Sequence, residues 1–373
     1  MQEQGCAHCD EKKVDLRGTS GARVLQLRGR RAMSRSLIQR LEEGHVLSRG
    51  EADALMEELL SGRVATPEIV RLLEALNRRP VQVQELAAFA RVMRRHATRV
   101  FADHEPRPAK MVDTCGTGGD NSGTFNISTA AAIVAAAAGA RVAKHGNRAA
   151  SSQSGSADVL EALGVRIDLS IDKCGRAIRE IGIGFLFAQA AHKAMRHATP
   201  ARKQIGVRTV FNLLGPLTNP AGAQAHVLGV FSADVIDLMA ATLAELGVQH
   251  AFVVHGAGGL DEISLAGETI VAEVRSGKVR KFNVTPEEFG LKSAPLDAIR
   301  GGTAVENAAL IRKILEGVAG APRDIVMVNA AAALVAAGLA ANFREAADMA
   351  RGALKSGAAA AKLARLKAFT NEG

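Results

Sequence analysis

The sequence predicts an α/β protein: a small all-helical N-terminal domain followed by a large α/β domain whose central, mostly parallel sheet is flanked by helices. Three observations carry this. Helical periodicity dominates from Ser34 to about Phe101. Beyond Pro108, short apolar runs of strand length alternate with helical stretches, the pattern of strands joined by crossover helices. With 373 residues and 47% apolar content, the chain is long enough to bury a large core beside a smaller one.

Residues 1–33 are polar and basic without a sustained period and read as a disordered extension, with Met33 an alternative start. Ser48 and Glu51 have capping-box spacing. Thr66-Pro67 opens another helix, because proline is tolerated in a first turn, and Ile69, Leu72, Leu73 and Leu76 share one face of it. A third helix spans about Val83 to His96.

The predicted strands are Met111–Asp113, Arg141–Lys144, Gly184–Phe187, His226–Val230 and Ala251–His255. Ser156–Leu163, Lys173–Ile181 and Ala233–Leu246 are helical stretches between them. Thr269 to Val284 reads as a hairpin turning at Ser276-Gly277. Ile325 to Ala341 is long and apolar, but it is mostly alanine with Asn329 near its start, so it reads as a buried helix and not a membrane span. With no Trp or Tyr and 3% aromatic residues, small aliphatic side chains must build the core.

Between Asp113 and Gly164 lie two segments suited to anions. In the first, Gly116, Thr117, Gly118, Gly119, Ser122, Gly123 and Thr124 let successive N–H groups approach one oxyanion. The loop then enters an alanine-rich helix, Ala130 to Ala138, whose N-terminus is itself an anion site. The second, Lys144 to Ser156, offers a cation, an amide, a guanidinium and Ser151, Ser152, Ser154 and Ser156. Two cradles suit a ligand with phosphates at both ends. No Gly-Lys-Ser/Thr closes the first loop, so it is not a nucleoside-triphosphate loop.

The formal net charge is +9. Seven basic and four acidic residues in positions 1–33 account for +3 of it, and the remaining +6 is compatible with an anionic substrate as well as with nucleic acid. Of four cysteines, Cys6 and Cys9 form a CxxC with no second pair to complete a tetrahedral zinc site. The N-terminus has no apolar segment of the secretory kind, so a reduced, cytoplasmic protein is expected.

The stretches GTGGDNSGTFNIST, KHGNRAASSQSGSADVLEALG and RTVFNLLGPLTNPA, in that order, closely resemble the anthranilate phosphoribosyltransferases of tryptophan biosynthesis. The resemblance runs from about Ser34 to the C-terminus. It implies a helical domain of residues 34–103, rejoined by part of 200–222, and an α/β domain of 104–373. It implies transfer of the phosphoribosyl group from 5-phosphoribosyl 1-diphosphate to anthranilate with release of diphosphate. The chemistry is electrostatic and metal-assisted, without a dedicated catalytic dyad.

By the same resemblance the donor site comprises Gly116, Gly119, Asp120, Thr124, Asn126, Ile127, Ser128, Thr129, Lys144, His145, Gly146, Asn147, Arg148, Ala149, Ala150, Ser151, Ser152 and Ser156. Anthranilate is assigned to Gly116, Asn147 and Arg202, with His145, His192 and Gly215-Pro216 along its channel. Two Mg2+ ions per monomer are implied, with Ser128, Asp261 and Glu262 as ligands. Adjacent carboxylates after an apolar strand suit a hard cation. A homodimer through the helical domain is implied, with no nucleic-acid or membrane partner.

The chain departs from the family pattern at Asn121, where a glycine is usual. It also departs at Gln189 and Lys193, where prolines are usual, and at Ala191, often a histidine. Asparagine tolerates a left-handed backbone, so the loop is expected to keep its shape. The other three put the channel's rigidity and acceptor affinity in question.

Two other functions remain. A pyrimidine-nucleoside phosphorylase also breaks a bond at ribose C1, but KHGNR, the GTGGD loop and the Asp-Glu pair favour the transferase. Relatives of this fold that have lost the transferase activity bind nucleic acid through a basic groove, but the complete loop, both implied metal positions, Asn147 and Arg202 argue against that role.

Overall fold

A computed structural model describes residues 33–102, 105–149 and 153–372. The N-terminal extension, with Cys6 and Cys9, lies outside the described residues. Four helices open the chain: α1 (33–42), α2 (Arg49–Leu60), α3 (Thr66–Asn77) and α4 (Val83–His96). The first adds to the three helices predicted at Ser48, at Thr66-Pro67 and from about Val83 to His96. The Ser48–Glu51 capping box forms, with the Ser48 N–H donating to the Glu51 carboxylate at 2.9 Å.

The α/β part then runs β1 (Val112–Asp113), α5 (Ile127–Ala137), β2 (Val142–Gly146), α6 (Ser156–Ala162), α7 (Ile171–Glu180), β3 (Ile183–Phe187), and the short α8 (Ala188–Ala191), α9 (Thr199–Ile205) and α10 (Val210–Leu214). It continues with β4 (Ala225–Gly229), α11 (Ile236–Glu245), β5 (His250–Gly256), β6 (Thr269–Arg275) and β7 (Lys278–Val284). It ends with α12 (Ala304–Leu315), α13 (Ala321–Ala336), α14 (Phe343–Lys355) and α15 (Ala358–Asn371). Each predicted strand forms within one or two residues of its expected ends. The hairpin turns at Ser276 and Gly277, both at positive φ (50° and 78°), the geometry of a two-residue hairpin turn.

The seven strands pair in the order β3-β2-β1-β4-β5-β6-β7, parallel from β3 to β5 and antiparallel thereafter. Strand side chains alternate between faces. Val227, Phe252 and Val254 join the core built with α5 and α13, while Leu228, Ala251 and Val253 join the core shared by α11 and the helical bundle. Helix α13 is the buried alanine helix foreseen from composition, and it lies against α5, where small side chains on both let the backbones approach. Helices α9 and α10 pack back onto α3 and α4, so their residues Ala201, Phe211 and Leu214 share the bundle's core. No helix among the described residues is long and apolar enough to cross a membrane.

The chain runs outward from β1 through β2 to β3 and then returns to β4 on the other side of β1. Strand order therefore reverses between β1 and β4. In open α/β sheets the crevice beyond the C-terminal strand ends at such a reversal is where ligands bind.

Candidate active site at the strand-order reversal

Three segments meet beyond the C-terminal ends of β1, β2, β4 and β5. The first is the glycine loop leaving β1. Its Thr117 N–H donates to the Gly229 carbonyl at 2.8 Å, and the Thr117 hydroxyl accepts from the Phe231 N–H at 3.1 Å. Gly116 is needed for this approach, since a Cβ there would lie 2.9 Å from the Gly229 carbonyl oxygen and 3.2 Å from Asp261 Oδ2. Asn121 adopts φ 57°, the left-handed conformation expected of it.

The second segment follows β2. Asn126, the residue before α5, ties the two cradles together: its Nδ2 donates to the Ser154 carbonyl at 3.0 Å, and its Oδ1 accepts from the Ser154 hydroxyl at 3.3 Å. Ser156 Oγ donates to the Asn147 carbonyl at 3.2 Å. Gly146, Asn147 and Ala149 surround this turn. Arg148 faces the other way, its guanidinium bonded to Asp158 at 2.9 Å and to Glu161, so its side chain belongs to the α6 surface. Burial raises the Asp158 carboxyl pKa, but the Ala149 and Gly155 N–H groups and Arg148 outweigh it and leave it lowered. Ala150, Ser151 and Ser152 lie outside the described residues.

The third segment is the loop after β5 that carries Asp261 and Glu262. Asp261 Oδ2 accepts from the Gly118 N–H at 2.8 Å, and its own N–H donates to Asp120 Oδ2 at 3.3 Å. Glu262 accepts from the Ser128 N–H at the start of α5. Ser128, Asp261 and Glu262 are thereby gathered in one place, with Asp120 beside them. Both paired carboxyls have raised pKa values, through burial first and then the like charge of neighbouring carboxylates, with Lys144 only partly offsetting this at Glu262. Half-buried like charges held by backbone N–H groups form an oxygen-rich set that fits a hard divalent cation.

Lys144 is buried and its ammonium donates to the Thr114 carbonyl at 3.1 Å. Below it Asp113 is fully buried, accepting from the His145 N–H at 3.0 Å and from Asn219 Nδ2 at 2.7 Å. Asp113, Cys115 and His145 place potential ligand atoms within 4.8 Å of one another. Both Asp113 oxygens are already hydrogen-bonded, and burial pushes the Cys115 thiol up to about 12, so this cluster is a structural joint and not a cation site.

His145 and His192, expected along the acceptor channel, meet edge to face, 5.1 Å between ring centres. Burial drives both pKa values down, His192 to about 4, so both rings are neutral at pH 7. Neither Nε2 has a hydrogen-bond partner among the described residues. His145 Nδ1 lies 3.2 Å from the Gly215 carbonyl, which fixes the proton on Nδ1 and leaves Nε2 as an acceptor. Arg202 is half-buried over the Phe211 ring at 5.5 Å, its pKa lowered by burial. The Thr129 hydroxyl, in the first turn of α5, is likewise buried without a partner among the described residues. Gln189 reaches Asn147 Oδ1 at 3.4 Å, so one departure from the family pattern touches an expected acceptor residue.

Sequence reasoning missed several residues that shape this site. Arg208 donates to the Gly119 carbonyl from the segment between α9 and α10, and its guanidinium stacks 4.3 Å from the Phe231 ring. Asn219 and Asn329 are buried amides paired to backbone. Arg208 and Asn219 lie in the family-like stretch RTVFNLLGPLTNPA, and Asn329 is the polar residue at the head of an alanine run, but none of the three was assigned to the site from the sequence.

The family model for the glycosyl transferase family a/b domain matches residues 108–360, and that for the helical bundle domain of the same family matches 35–97. The chain is 52% identical over 338 residues to the anthranilate phosphoribosyltransferase of Pelotomaculum thermopropionicum, covering 91% of this chain and 97% of that one. The crystal structure of anthranilate phosphoribosyltransferase from Thermus thermophilus superposes with a TM-score of 0.84 at 48% identity, covering 90% of this chain and 99% of that one. The enzyme from Saccharomyces cerevisiae in complex with PRPP and Mg gives a TM-score of 0.81 at 28% identity, covering 91% and 98%. By its fold, its two matched domains and its identity to these relatives, this chain belongs to the anthranilate phosphoribosyltransferase family.

Proposed function

We infer that the protein is an anthranilate phosphoribosyltransferase: it transfers the phosphoribosyl group of 5-phosphoribosyl 1-diphosphate to anthranilate, giving N-(5-phosphoribosyl)anthranilate and diphosphate. The observation that supports this best is the meeting of the glycine loop, the Lys144–Ser156 turn and the Asp261–Glu262 loop at one strand-order reversal. Two oxyanion cradles flank a carboxylate pair, the arrangement a sugar with phosphates at both ends requires.

In the reaction the C1–oxygen bond to diphosphate breaks, a C1–nitrogen bond forms, and the amine nitrogen gives up a proton. The residues proposed for the donor are Gly116, Gly119, Asp120, Thr124, Asn126 to Thr129, Lys144 to Ser152 and Ser156. Arg148 and Ala149 act through backbone, since the Arg148 side chain is engaged elsewhere. The unpartnered Thr129 hydroxyl supports a ligand above the first turn of α5. Magnesium, two ions in this reading, would be held by Ser128, Asp261 and Glu262, and when bound supplies charge neutralisation to the departing diphosphate.

Arg202 can take the acceptor carboxylate, since a guanidinium bonds both oxygens of one. Gly116 and Asn147 complete that subsite. His145 Nε2 can accept an N–H of the amine and so orient its lone pair toward C1. Aromatic amines are neutral at pH 7, so no strong base need act before attack.

The same reading takes residues 34–103 with part of 200–222 as the helical domain, 104–373 as the α/β domain, the protein as a cytoplasmic homodimer, and the bundle as its interface. Sedimentation would measure the mass in solution. The function itself is tested by mixing protein, anthranilate, 5-phosphoribosyl 1-diphosphate and Mg2+ and following the loss of anthranilate fluorescence. Loss should stop on chelation of the metal and resume on its return. A protein that leaves the fluorescence unchanged under all these conditions is not this transferase.

A further inference from the structure

Asn329 stands in the buried helix α13, 2% exposed and followed directly by four alanines. Its side-chain amide makes three hydrogen bonds. Oδ1 accepts from the Ile263 N–H at 2.9 Å, and Nδ2 donates to the Ile263 carbonyl at 3.0 Å and to the Ile325 carbonyl at 2.9 Å. A carboxamide offers the same donor and acceptor as a peptide group. Asn329 thus pairs with Ile263 much as a neighbouring strand would, inside a helix whose own backbone is already paired.

Ile263 directly follows Glu262. On the other side of the loop, Gly229 and Gly256 present bare backbone: a Cβ on either would overlap the carbonyl of Asp261 or Glu262. The carboxylate pair is therefore held from two directions, by contact with two strand ends and by a two-point clamp from α13. The contact with the glycines limits how far the loop can approach the sheet. The clamp stops it from moving away or rotating about its own axis. We propose that Asn329 is a positioning residue for Asp261 and Glu262, and that it sets the affinity of the divalent cation these two carboxylates hold. The proposal rests on the reading that they hold that cation.

Ile263 is buried, and among the described residues its N–H and carbonyl are hydrogen-bonded by Asn329. An alanine at 329 would fit the helix, since its neighbours are alanines, but it would leave both groups unpaired and free the loop. Residues that orient metal ligands through hydrogen bonds typically change metal affinity ten- to a hundredfold when lost.

The experiment uses the full-length protein with N329A, N329S and the double variant D261N/E262Q. Mn2+ is titrated in the presence of 5-phosphoribosyl 1-diphosphate, with free Mn2+ read by electron paramagnetic resonance and thermal unfolding measured alongside. N329A should raise the Mn2+ dissociation constant by roughly tenfold or more. It should also raise the Mg2+ concentration giving half-maximal rate, with most of kcat restored at high Mg2+. N329S should fall between wild type and N329A, and it decides the matter by the same titration should N329A fail to fold. Wild-type Mn2+ affinity in the Asn329 variants, with affinity lost in D261N/E262Q, overturns the proposal and leaves the metal reading standing. Wild-type affinity in D261N/E262Q overturns the metal reading and the proposal together. A lower melting temperature with unchanged Mn2+ affinity assigns Asn329 to packing alone and likewise overturns it.

Discussion

Gly229 and Asp261 touch backbone to backbone: the end of β4 has no side chain because the Asp261 carbonyl occupies the place a Cβ would take. The Gly229 carbonyl at the same point accepts from the Thr117 N–H. One residue thus seats both the glycine loop and the carboxylate loop. Gly229→Ala must push the Asp261 peptide away, an overpacking strain of about 1–3 kcal/mol. A melting temperature several degrees lower and a raised Mg2+ requirement are the expected outcomes. Unchanged thermal unfolding and metal dependence would show that the loop is not seated as described.

Arg202 is a half-buried guanidinium over Phe211, with no acidic partner among the described residues. Removing a charge-assisted bond to a carboxylate forfeits about 1.5–3 kcal/mol, or roughly a 10- to 100-fold rise in the anthranilate KM. Arg202→Ala should show that rise, while the donor KM stays within about twofold of wild type. Arg202→Lys should recover part of the loss, since it keeps the charge without the bidentate fork. Steady-state kinetics with each substrate varied in turn gives the answer; an acceptor KM untouched by Arg202→Ala removes the residue from that role.

Arg208 fastens the glycine loop through the Gly119 carbonyl, and its own carbonyl accepts from Asn77 Nδ2 at 2.9 Å. Its side chain can be removed without disturbing the Asn77 contact, which is to backbone. At a net hydrogen-bond value of about 1 kcal/mol, Arg208→Ala should raise the donor KM roughly fivefold. The anthranilate KM should stay near wild type. The opposite split, with only the acceptor affected, would place Arg208 on the other side of the site.

His226 is fully buried on β4, and burial, aided by the charge of Arg94, lowers its pKa from 6.5 to about 4. Its folded-state value is depressed, so the unfolded chain binds the proton more readily across that interval. The stability is fully present above pH 6.5 and is lost as the pH falls through about 4. The shift corresponds to about 3 kcal/mol at most. Urea unfolding at pH 7.5 and at pH 4.5 should show a larger loss for the wild type than for His226→Asn. Parallel losses in the two proteins would mean that other groups carry the acid sensitivity.

Much of the site was legible before any coordinates. Glycine at 116, 118 and 119 and the asparagine at 121 state a backbone requirement locally, and Gly118, Gly119 and Asn121 indeed have positive φ. The hairpin at Ser276-Gly277 and the alternation of strands and helices are equally local. The roles of Arg148 and Asn329 were not legible. Arg148 was expected among ligand-binding residues because it sits inside the second cradle, but acidic residues at 158 and 161 on α6 draw its side chain outward.

The amino-acid sequence by itself determined the strands, the two cradles and their order, because turn geometry and side-chain alternation depend on near neighbours along the chain. Tertiary structure alone decided that Asn329 grips Ile263, 66 residues away, and that Arg208 reaches Gly119, 89 residues away. These contacts depend on which helix lies over which strand end. That choice is made by burial summed over the whole core, and burial is non-directional, so no local pattern records which distant partner a polar side chain will meet.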